Sequence, residues 1–239
     1  MMELKAIKMD GLGIDVVIVD GRKNNVVLEK KHLLKIADRN YVGCDQIIFI
    51  RKDNNSDAFI TFYNSDGNET AACGNGSRCI AYFLGKEKNK KIIKLKTKGR
   101  ILQSEIIKEN LVKINMGTPK FFWKEIPLSK NVDHTNLNIS IMDNNNKEHV
   151  GGFSLNIGNP HVIFFVKKLK NFNLDSIGPK IENHKLFPEK CNVTLAEIKN
   201  KKLISVNVWE RGAGLTKACG TAACATVIAA NKMNLSERV

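Results

Sequence analysis

Short runs of β-branched and other apolar residues, each bounded by turn residues, dominate the chain and predict strands. The segment MMELKAIKMDGLGIDVVIVD at the start predicts a strand, a glycine turn and a second strand. In the first half, further strands are predicted by QIIFIRK, AFITFYNSDGNET, KIIKLKT and LVKINMG. In the second half, they are predicted by GGFSLNIGNPHVIFFV and KLISVNVWERGAG.

Three segments carry helical spacing instead. Residues 28–40, LEKKHLLKIADRN, place apolar side chains at helical intervals and predict a surface helix. In AACGNGSRCIAYFLG (71–85) and in ACGTAACATVIAA (218–230), a cysteine follows an alanine, precedes a glycine and begins an apolar helix. The two cysteine-opened segments predict one central helix in each half.

The segment NMGTPKFFW, with its Gly-Thr-Pro break, divides the chain near its midpoint. We therefore expect two similar halves that face each other, residues 1–117 with Cys73 and residues 118–239 with Cys219. The repetition is one of organisation, because the two halves share little sequence.

The chain has 239 residues, of which 43% are hydrophobic, and this length suffices for a sizeable core. No apolar run approaches the roughly 20 residues that a membrane-spanning helix needs. The N-terminal residues lack the unbroken apolar stretch and small-residue cleavage site of a signal peptide. These features predict a cytoplasmic protein.

Six cysteines in such a protein predict free thiols, because the cytosol keeps thiols reduced. A structural zinc site is the competing interpretation. Neither Cys73 and Cys79 nor Cys219 and Cys224 have the short spacing of a zinc knuckle. We therefore expect no metal, and we interpret Cys79 and Cys224 as small core residues.

The net charge of +14 raises the possibility of nucleic-acid binding. The densest basic stretch, GKEKNKKIIKLKTKGR (85–100), has no aromatic residues on which bases could stack. Its lysines alternate with other residues as on the solvated face of a strand. We expect no nucleic-acid partner and no membrane association.

The chemistry of the two cysteines follows from their position at helix N-termini. A helix N-terminus carries partial positive charge and unpaired N–H groups, which lower the pKa of a thiol and bind carboxylates. A single such thiol fits a nucleophile with His161 as its base, and two buried structural cysteines are also possible. A matched pair fits inversion of a stereocentre better, since one thiolate removes a proton and one thiol returns a proton to the opposite face.

The motifs GLGxD, DQ, NSDGNETAACGNGSRC, NMG, IGNPH, FPEKCNV and ERGAGLTKACGTAACA occur in an order and at spacings that resemble the diaminopimelate epimerase family. The resemblance covers the chain from about Lys5 to about Glu237. It implies a cofactor-independent isomerase of lysine and peptidoglycan precursor synthesis that interconverts LL- and meso-diaminopimelate. It also implies an α+β fold of two pseudo-symmetric lobes, each a curved, mostly antiparallel sheet around a central helix, with the active site between them, and a homodimer.

The resemblance assigns roles to individual residues. Cys73 and Cys219 match the acid/base pair, and His161 and Glu210 match the residues that tune the two thiols. Backbone N–H groups would hold the reacting carboxylate at Gly74, Asn75, Gly220 and Thr221. The remaining positions match contacts to the small diamino-dicarboxylate substrate: Gln46, Asn64, Asn159, Asn192, Glu210 and Arg211.

The chain departs from the family pattern in two respects. Ile14 replaces an asparagine that contacts the substrate in GLGND, and family members continue past the position of Val239 with final strands for both lobes. Because of Ile14, a related histidine or proline racemase is the alternative within this class. A basic remnant that is inactive or binds RNA is the alternative from another class.

Overall fold

A computed structural model describes residues 6–24, 26–70 and 73–237, and these divide into two units, Met1–Met116 and Gly117–Val239. Each unit contains one sheet of several strands and one helix that begins directly after a cysteine. This organisation confirms the predicted α+β class. Within the described ranges, no helix is both long enough and apolar enough to cross a membrane.

The strands of the first unit form one mostly antiparallel sheet in the order β1-β2-β3-β4-β6-β7-β8, with β5 paired to β4. The β2–β3 and β4–β6 pairs are parallel. The strand bounds are β1 Ala6–Gly11, β2 Ile14–Asp20, β3 Gln46–Arg51, β4 Ala58–Asn64, β5 Glu69–Thr70, β6 Ile92–Lys96, β7 Ile101–Lys108 and β8 Leu111–Ile114.

Two helices, α1 (Lys30–Ala37) and α2 (Gly74–Lys88), cover opposite faces of this sheet. Alternate residues of β2 point to opposite faces, so Val16 and Ile18 pack with α2 while Val17 and Val19 pack with α1. This explains why β2 reads as a continuous apolar run. Helix α2 contacts both β1 and β8, which end the strand order, so the sheet curls around it.

The second unit has a sheet in the order β11-β12-β13-β14-β15, in which the β12–β13 pair alone is parallel among the described strands, and a separate β9–β10 hairpin. Two helices, α3 and α4, and a short 3₁₀ turn complete it. The bounds are β9 Ile139–Met142, β10 Glu148–Gly151, β11 Phe153–Asn156, β12 Pro160–Phe165, the 3₁₀ turn Leu169–Asn171, α3 Leu174–Glu182, β13 Asn192–Asn200, β14 Leu203–Glu210, β15 Gly214–Thr216 and α4 Gly220–Lys232.

The faces of the second sheet differ in chemistry. Val193 and Leu195 of β13 join the apolar core that also contains Ile177 and Ile181 of α3. Alternation along the strand therefore places Asn192 and Thr194 on the other face. Helix α4 contacts β11, β12, β13 and β14, so the buried polar residues lie on the side of the sheet that α4 covers.

Candidate active site

Cys73 occupies the N-cap position of α2. Its backbone is extended (φ −140°, ψ 111°), and its carbonyl accepts the first intrahelical hydrogen bond, from the Ser77 N–H at 2.9 Å. The Gly76 N–H donates to the Cys73 Sγ across 3.2 Å. Ala71 and Ala72 of the predicted motif lie outside the described residues. The sulfur thus takes the place of the oxygen that usually caps a helix.

Gly76 has a packing role. A Cβ atom at this position would lie 2.4 Å from the Cδ1 of Ile48, well inside van der Waals contact. Glycine at this position therefore lets the start of α2 lie directly against the core of the first unit.

Gln46 and Asn64 lie directly opposite each other on β3 and β4, and the Gln46 Nε2 donates to the Asn64 Oδ1 at 3.1 Å. Two residues away on each strand, Ile48 and Phe62 are paired in the same way, so the two pairs share one face of the sheet. The side chains of Ile48 and Phe62 both lie next to Gly76. The two amides are therefore on the α2 side of the sheet. In the described part of the chain, the buried Gln46 Oε1 has no hydrogen-bond donor.

Asn75 and Gly74 form the first residues of α2 and are both buried. The Asn75 Oδ1 accepts a hydrogen bond from the Arg78 guanidinium, one turn further along the helix. The side chain of Asn75 is thus used within α2. Its backbone N–H and that of Gly74 precede the first intrahelical donor, as expected for groups that could bind a carboxylate.

Cys219 repeats this arrangement at the N-cap of α4. Its backbone has nearly the same conformation (φ −130°, ψ 110°), and its carbonyl accepts from the Ala223 N–H at 3.0 Å. Gly220 and Thr221 are the first helical residues, as Gly74 and Asn75 are in α2. The Thr221 Oγ1 lies 3.3 Å from the Cys219 Sγ.

The pKa of Cys219 is shifted in the direction opposite to that expected for a thiol at a helix N-terminus, although a protonated thiol agrees with the expected pair of one thiolate and one thiol. Burial, followed by the negative charge of the Glu210 carboxylate, raises the pKa of Cys219 to about 12. The Thr221 hydroxyl and the Ala222 N–H favour the thiolate but do not outweigh these two effects. The expectation that the helix N-terminus lowers the pKa of this thiol is therefore wrong, and Cys219 is a protonated thiol at neutral pH.

Glu210 lies at the end of β14 and interacts with Cys219. Burial raises the pKa of Glu210, while hydrogen bonds from Thr216 and Cys219 act in the opposite direction. Thr216, on the paired strand β15, donates its hydroxyl hydrogen to the Glu210 Oε1 at 2.6 Å. Thr216 is not among the predicted site residues, although the GLTKACG segment places it three residues before the cysteine.

His161 is fully buried on β12. Burial, and then the positive charge of Arg211, lower its pKa to about 3, so the ring is neutral at physiological pH. Its Nε2 lies 3.0 Å from the Asn159 Oδ1, and the Asn159 Nδ2 donates to the Thr221 Oγ1 at 3.4 Å. With Asn159 in this orientation the Nε2 carries the proton, which leaves the Nδ1 as an acceptor that has no partner among the described residues.

Asn192 is buried and uses both ends of its amide on the backbone. The Nδ2 donates to the Pro160 carbonyl at 2.9 Å, and the Oδ1 accepts from the Arg211 N–H at 3.0 Å. The Arg211 Nη1 donates to the Glu189 carbonyl at 3.0 Å. Asn192 thereby connects β12 to the residue that follows β14, and a direct contact with substrate stays a prediction for it.

The structure thus brings the predicted residues together within each unit. In the first unit, Gln46 and Asn64 share a sheet face with the start of α2. In the second, a chain of close polar contacts runs from Cys219 through Thr221 and Asn159 to His161. Among the described residues, no group of His, Cys, Asp and Glu side chains is arranged to hold a metal ion.

The family model described as "Diaminopimelate epimerase" matches residues 6–122 and 153–238. A diaminopimelate epimerase of Pelagibacter ubique is 57% identical over 237 residues, which cover 99% of this chain and 86% of that protein. One of Acidiphilium cryptum is 40% identical over 233 residues, which cover 97% of this chain and 82% of that protein.

Solved structures with low sequence identity share the fold. A hydroxyproline epimerase from Agrobacterium vitis, solved with trans-4-hydroxy-L-proline, has a TM-score of 0.66 at 11% identity and matches 98% of this chain and 78% of its own. A phenazine biosynthesis protein of the PhzF family from Enterococcus faecalis has a TM-score of 0.61 at 11% identity, over 98% of this chain and 84% of its own.

Proposed function

The chain belongs to the diaminopimelate epimerase family, and we propose that it epimerises LL-diaminopimelate to meso-diaminopimelate without a cofactor. The observation that carries this proposal is the pair Cys73 and Cys219. Each is the N-cap of the central helix of its own unit, with nearly the same backbone conformation. An inversion needs one proton carrier on each face of the Cα atom, and a matched pair of thiols provides two.

The two thiols have different environments, and this supports different roles. The Gly76 N–H donates to the Cys73 sulfur, as the Ala222 N–H does to Cys219. Burial and the neighbouring Glu210 carboxylate keep Cys219 protonated, however, which leaves Cys73 as the thiol that ionises. In the direction that begins from this state, the Cys73 thiolate takes the proton from Cα and becomes a thiol. The Cys219 thiol then gives its proton to the opposite face of the carbanion and becomes a thiolate. The reverse reaction exchanges the two roles.

The substrate carboxylate next to the reacting Cα would be held by the first N–H groups of both helices, at Gly74, Asn75, Gly220 and Thr221. This contact is essential to the chemistry, because negative charge moves from Cα onto the carboxylate when the proton leaves. The other amino-acid end would be bound by Gln46, Asn64, Asn159, Asn192, Glu210 and Arg211. Arg211 suits the far carboxylate, since guanidinium groups bind carboxylates in two-pronged fashion.

Glu210 and His161 would tune the thiols. The Glu210 carboxylate favours the protonated form of Cys219. After each turnover it would therefore favour reprotonation of the Cys219 thiolate. His161 is neutral, and its Nδ1, which has no partner in the part of the chain that the structure describes, can accept a hydrogen bond from a thiol that has just received the substrate proton. We further propose a cytoplasmic homodimer, as the family resemblance implies.

The test is separation of the LL and meso isomers after incubation of purified protein with LL-diaminopimelate. We expect turnover by the parent protein and none by Cys73→Ala or Cys219→Ala, because each variant lacks the proton carrier for one face. Cys224→Ala should keep most of the activity, since Cys224 lies on α4 away from its N-terminus. Faster racemisation of proline or histidine than of diaminopimelate would reject the substrate assignment and retain the two-thiol mechanism.

A further inference from the structure

Glu182, the last residue of α3, is a buried carboxylate to which the proposed reaction gives no role. It is only 6% exposed. Its Oε2 accepts from the Trp209 indole Nε1 at 2.7 Å, and its Oε1 accepts from the Gly212 N–H at 3.0 Å. Among the described residues, no ion pair includes Glu182. The Glu182 carboxylate therefore accepts hydrogen bonds from two N–H groups and does not pair with a cation among these residues.

The two donors, Trp209 and Gly212, flank two residues of the candidate site, Glu210 and Arg211. They form a turn in which the Ala213 N–H donates to the Glu210 carbonyl at 3.0 Å and Gly212 has a φ of 73°. Glu182 thus holds this turn at both sides of the Glu210–Arg211 pair.

The fit of α3 against Trp209 is tight. A Cβ atom on Gly178, one turn before Glu182, would lie 2.4 Å from the Trp209 Cδ2, so the helix backbone lies directly against the indole. A Cβ on Gly214 would lie 3.6 Å from the same ring. The Trp209 ring therefore packs closely against α3 and lies near Gly214 after the turn, while its N–H donates to Glu182.

Only an acidic side chain satisfies this geometry. The two N–H groups need two acceptor atoms on one side chain, and a carboxylate offers two oxygens. A glutamine has the same shape but one oxygen, so its NH₂ group would oppose one of the two donors. A buried donor left unsatisfied is costly, and the turn would move to find another partner.

We propose that Glu182 is a positioning residue for the epimerase reaction: it fixes the turn that presents Arg211 to the substrate and Glu210 to Cys219. This inference rests on the proposed function for its consequence in catalysis. The positioning itself can be measured without any activity.

The test compares Glu182→Gln with Glu197→Gln. Glu197 is a matched control, because it belongs to the same unit and its Oε2 also accepts a backbone N–H, that of Leu169, at 3.0 Å. It lies on β13, and its contacts are away from the turn. Amide hydrogen exchange of a peptide that covers residues 209–214 should be faster in E182Q than in the parent and unchanged in E197Q.

The kinetic consequence separates positioning from general loss of stability. A variant that is partly unfolded loses kcat in proportion to its folded fraction and keeps its KM. Displacement of Arg211 weakens a hydrogen bond to a charged group, so E182Q should raise the KM for diaminopimelate about tenfold. E197Q should leave the KM unchanged.

Trp209→Phe supplies a second variant. It removes one donor and leaves Gly212 bound to the carboxylate, so its effects on exchange and KM should be smaller than those of E182Q. In the double variant E182Q/W209F, the glutamine oxygen can serve Gly212 with no indole N–H opposite its NH₂, so the two effects should not add. If E182Q does not fold, the amide exchange at residues 209–214 and the KM of W209F, each compared with the parent, test the proposal instead.

Two results would overturn the inference. Exchange at residues 209–214 that is the same in E182Q, W209F and the parent would show that Glu182 does not hold the turn. Faster exchange in E182Q with an unchanged KM would show that Glu182 holds the turn but that substrate binding does not need the turn to be held. Absence of epimerisation by the parent protein would reject the proposed function, and the exchange experiment would still decide the positioning.

Discussion

Thr216 donates its hydroxyl hydrogen to the Glu210 carboxylate across 2.6 Å, and Glu210 in turn raises the pKa of Cys219. The Thr216 hydroxyl on β15 therefore orients a carboxylate whose charge adds to the effect of burial on the pKa of Cys219. A hydrogen bond to a charged group contributes about 1.5–3 kcal/mol, and its loss leaves the Glu210 carboxylate with one donor fewer.

We predict that Thr216→Val lowers kcat/KM for diaminopimelate at least about tenfold, which steady-state kinetics can measure. Thr216→Ser keeps the hydroxyl and should retain most of the activity. Thr226→Val is the control, because the buried Thr226 hydroxyl on α4 has no partner among the described residues. Equal kinetics for T216V and T226V would show that Glu210 does not need this donor.

The second prediction concerns Gly76. A methyl group here would meet the Ile48 Cδ1 at 2.4 Å, so Gly76→Ala should destabilise the protein by about 1–3 kcal/mol through overpacking. Gly99→Ala should change stability little, since a Cβ at Gly99 meets nothing within 4 Å. Urea unfolding of both variants checks the difference, and equal midpoints would show that the start of α2 adjusts freely.

The third prediction concerns Ile14, the position at which the chain departs from the family pattern. Ile14 is half-buried and packs against the core cluster of the first unit, as Met9 and Cys73 also do. We therefore expect Ile14→Asn to lower the free energy of unfolding by about 1 kcal/mol, because apolar burial is lost, without a gain in activity. An increase of several-fold in kcat/KM for diaminopimelate would instead identify position 14 as a substrate contact.

The fourth prediction concerns pH. Hydrogen bonds and charge from Arg39 hold the pKa of Asp15 well below its usual range. A carboxyl whose pKa is lower in the folded state stabilises the protein above its unfolded pKa, near 4, and this contribution disappears as the pH falls toward the folded value. Asp15→Asn should thus cost about 1 kcal/mol at pH 7 and progressively less below pH 4. Denaturant unfolding at several pH values measures this, and a constant difference between the two proteins would contradict it.

The parts of the fold that the sequence predicts well are those with strong periodic or terminal signals. Helices α2 and α4 begin at the predicted cysteines because glycine and apolar spacing mark both starts. The predicted helix at 28–40 is shorter, Lys30–Ala37, with Glu29 and Asp38 at its two caps. Helix α3 is missed because its sequence, LDSIGPKIE, contains both glycine and proline, which usually end helices.

The residues of the candidate site also divide into those that have a local sequence signal and those that have none. The residues that belong to long motifs are predicted, whereas Glu182 lies in the missed helix and has no local signal. The pKa of Cys219 is mispredicted for a different reason. A helix N-terminus is visible in the sequence, but burial and the approach of Glu210 from another strand depend on the tertiary structure.

The central claim is that two different thiols serve the two faces of one carbon atom. Its most direct test is incubation of LL-diaminopimelate with the parent protein in heavy water, with Cα deuterium followed by NMR in both isomers at low conversion. Because the base keeps the substrate proton and the other thiol delivers a solvent-derived one, the meso product should carry one Cα deuterium while the remaining LL substrate stays unlabelled. Deuterium that enters the LL substrate as fast as meso product forms, or turnover that survives Cys219→Ala, would contradict the two-thiol mechanism.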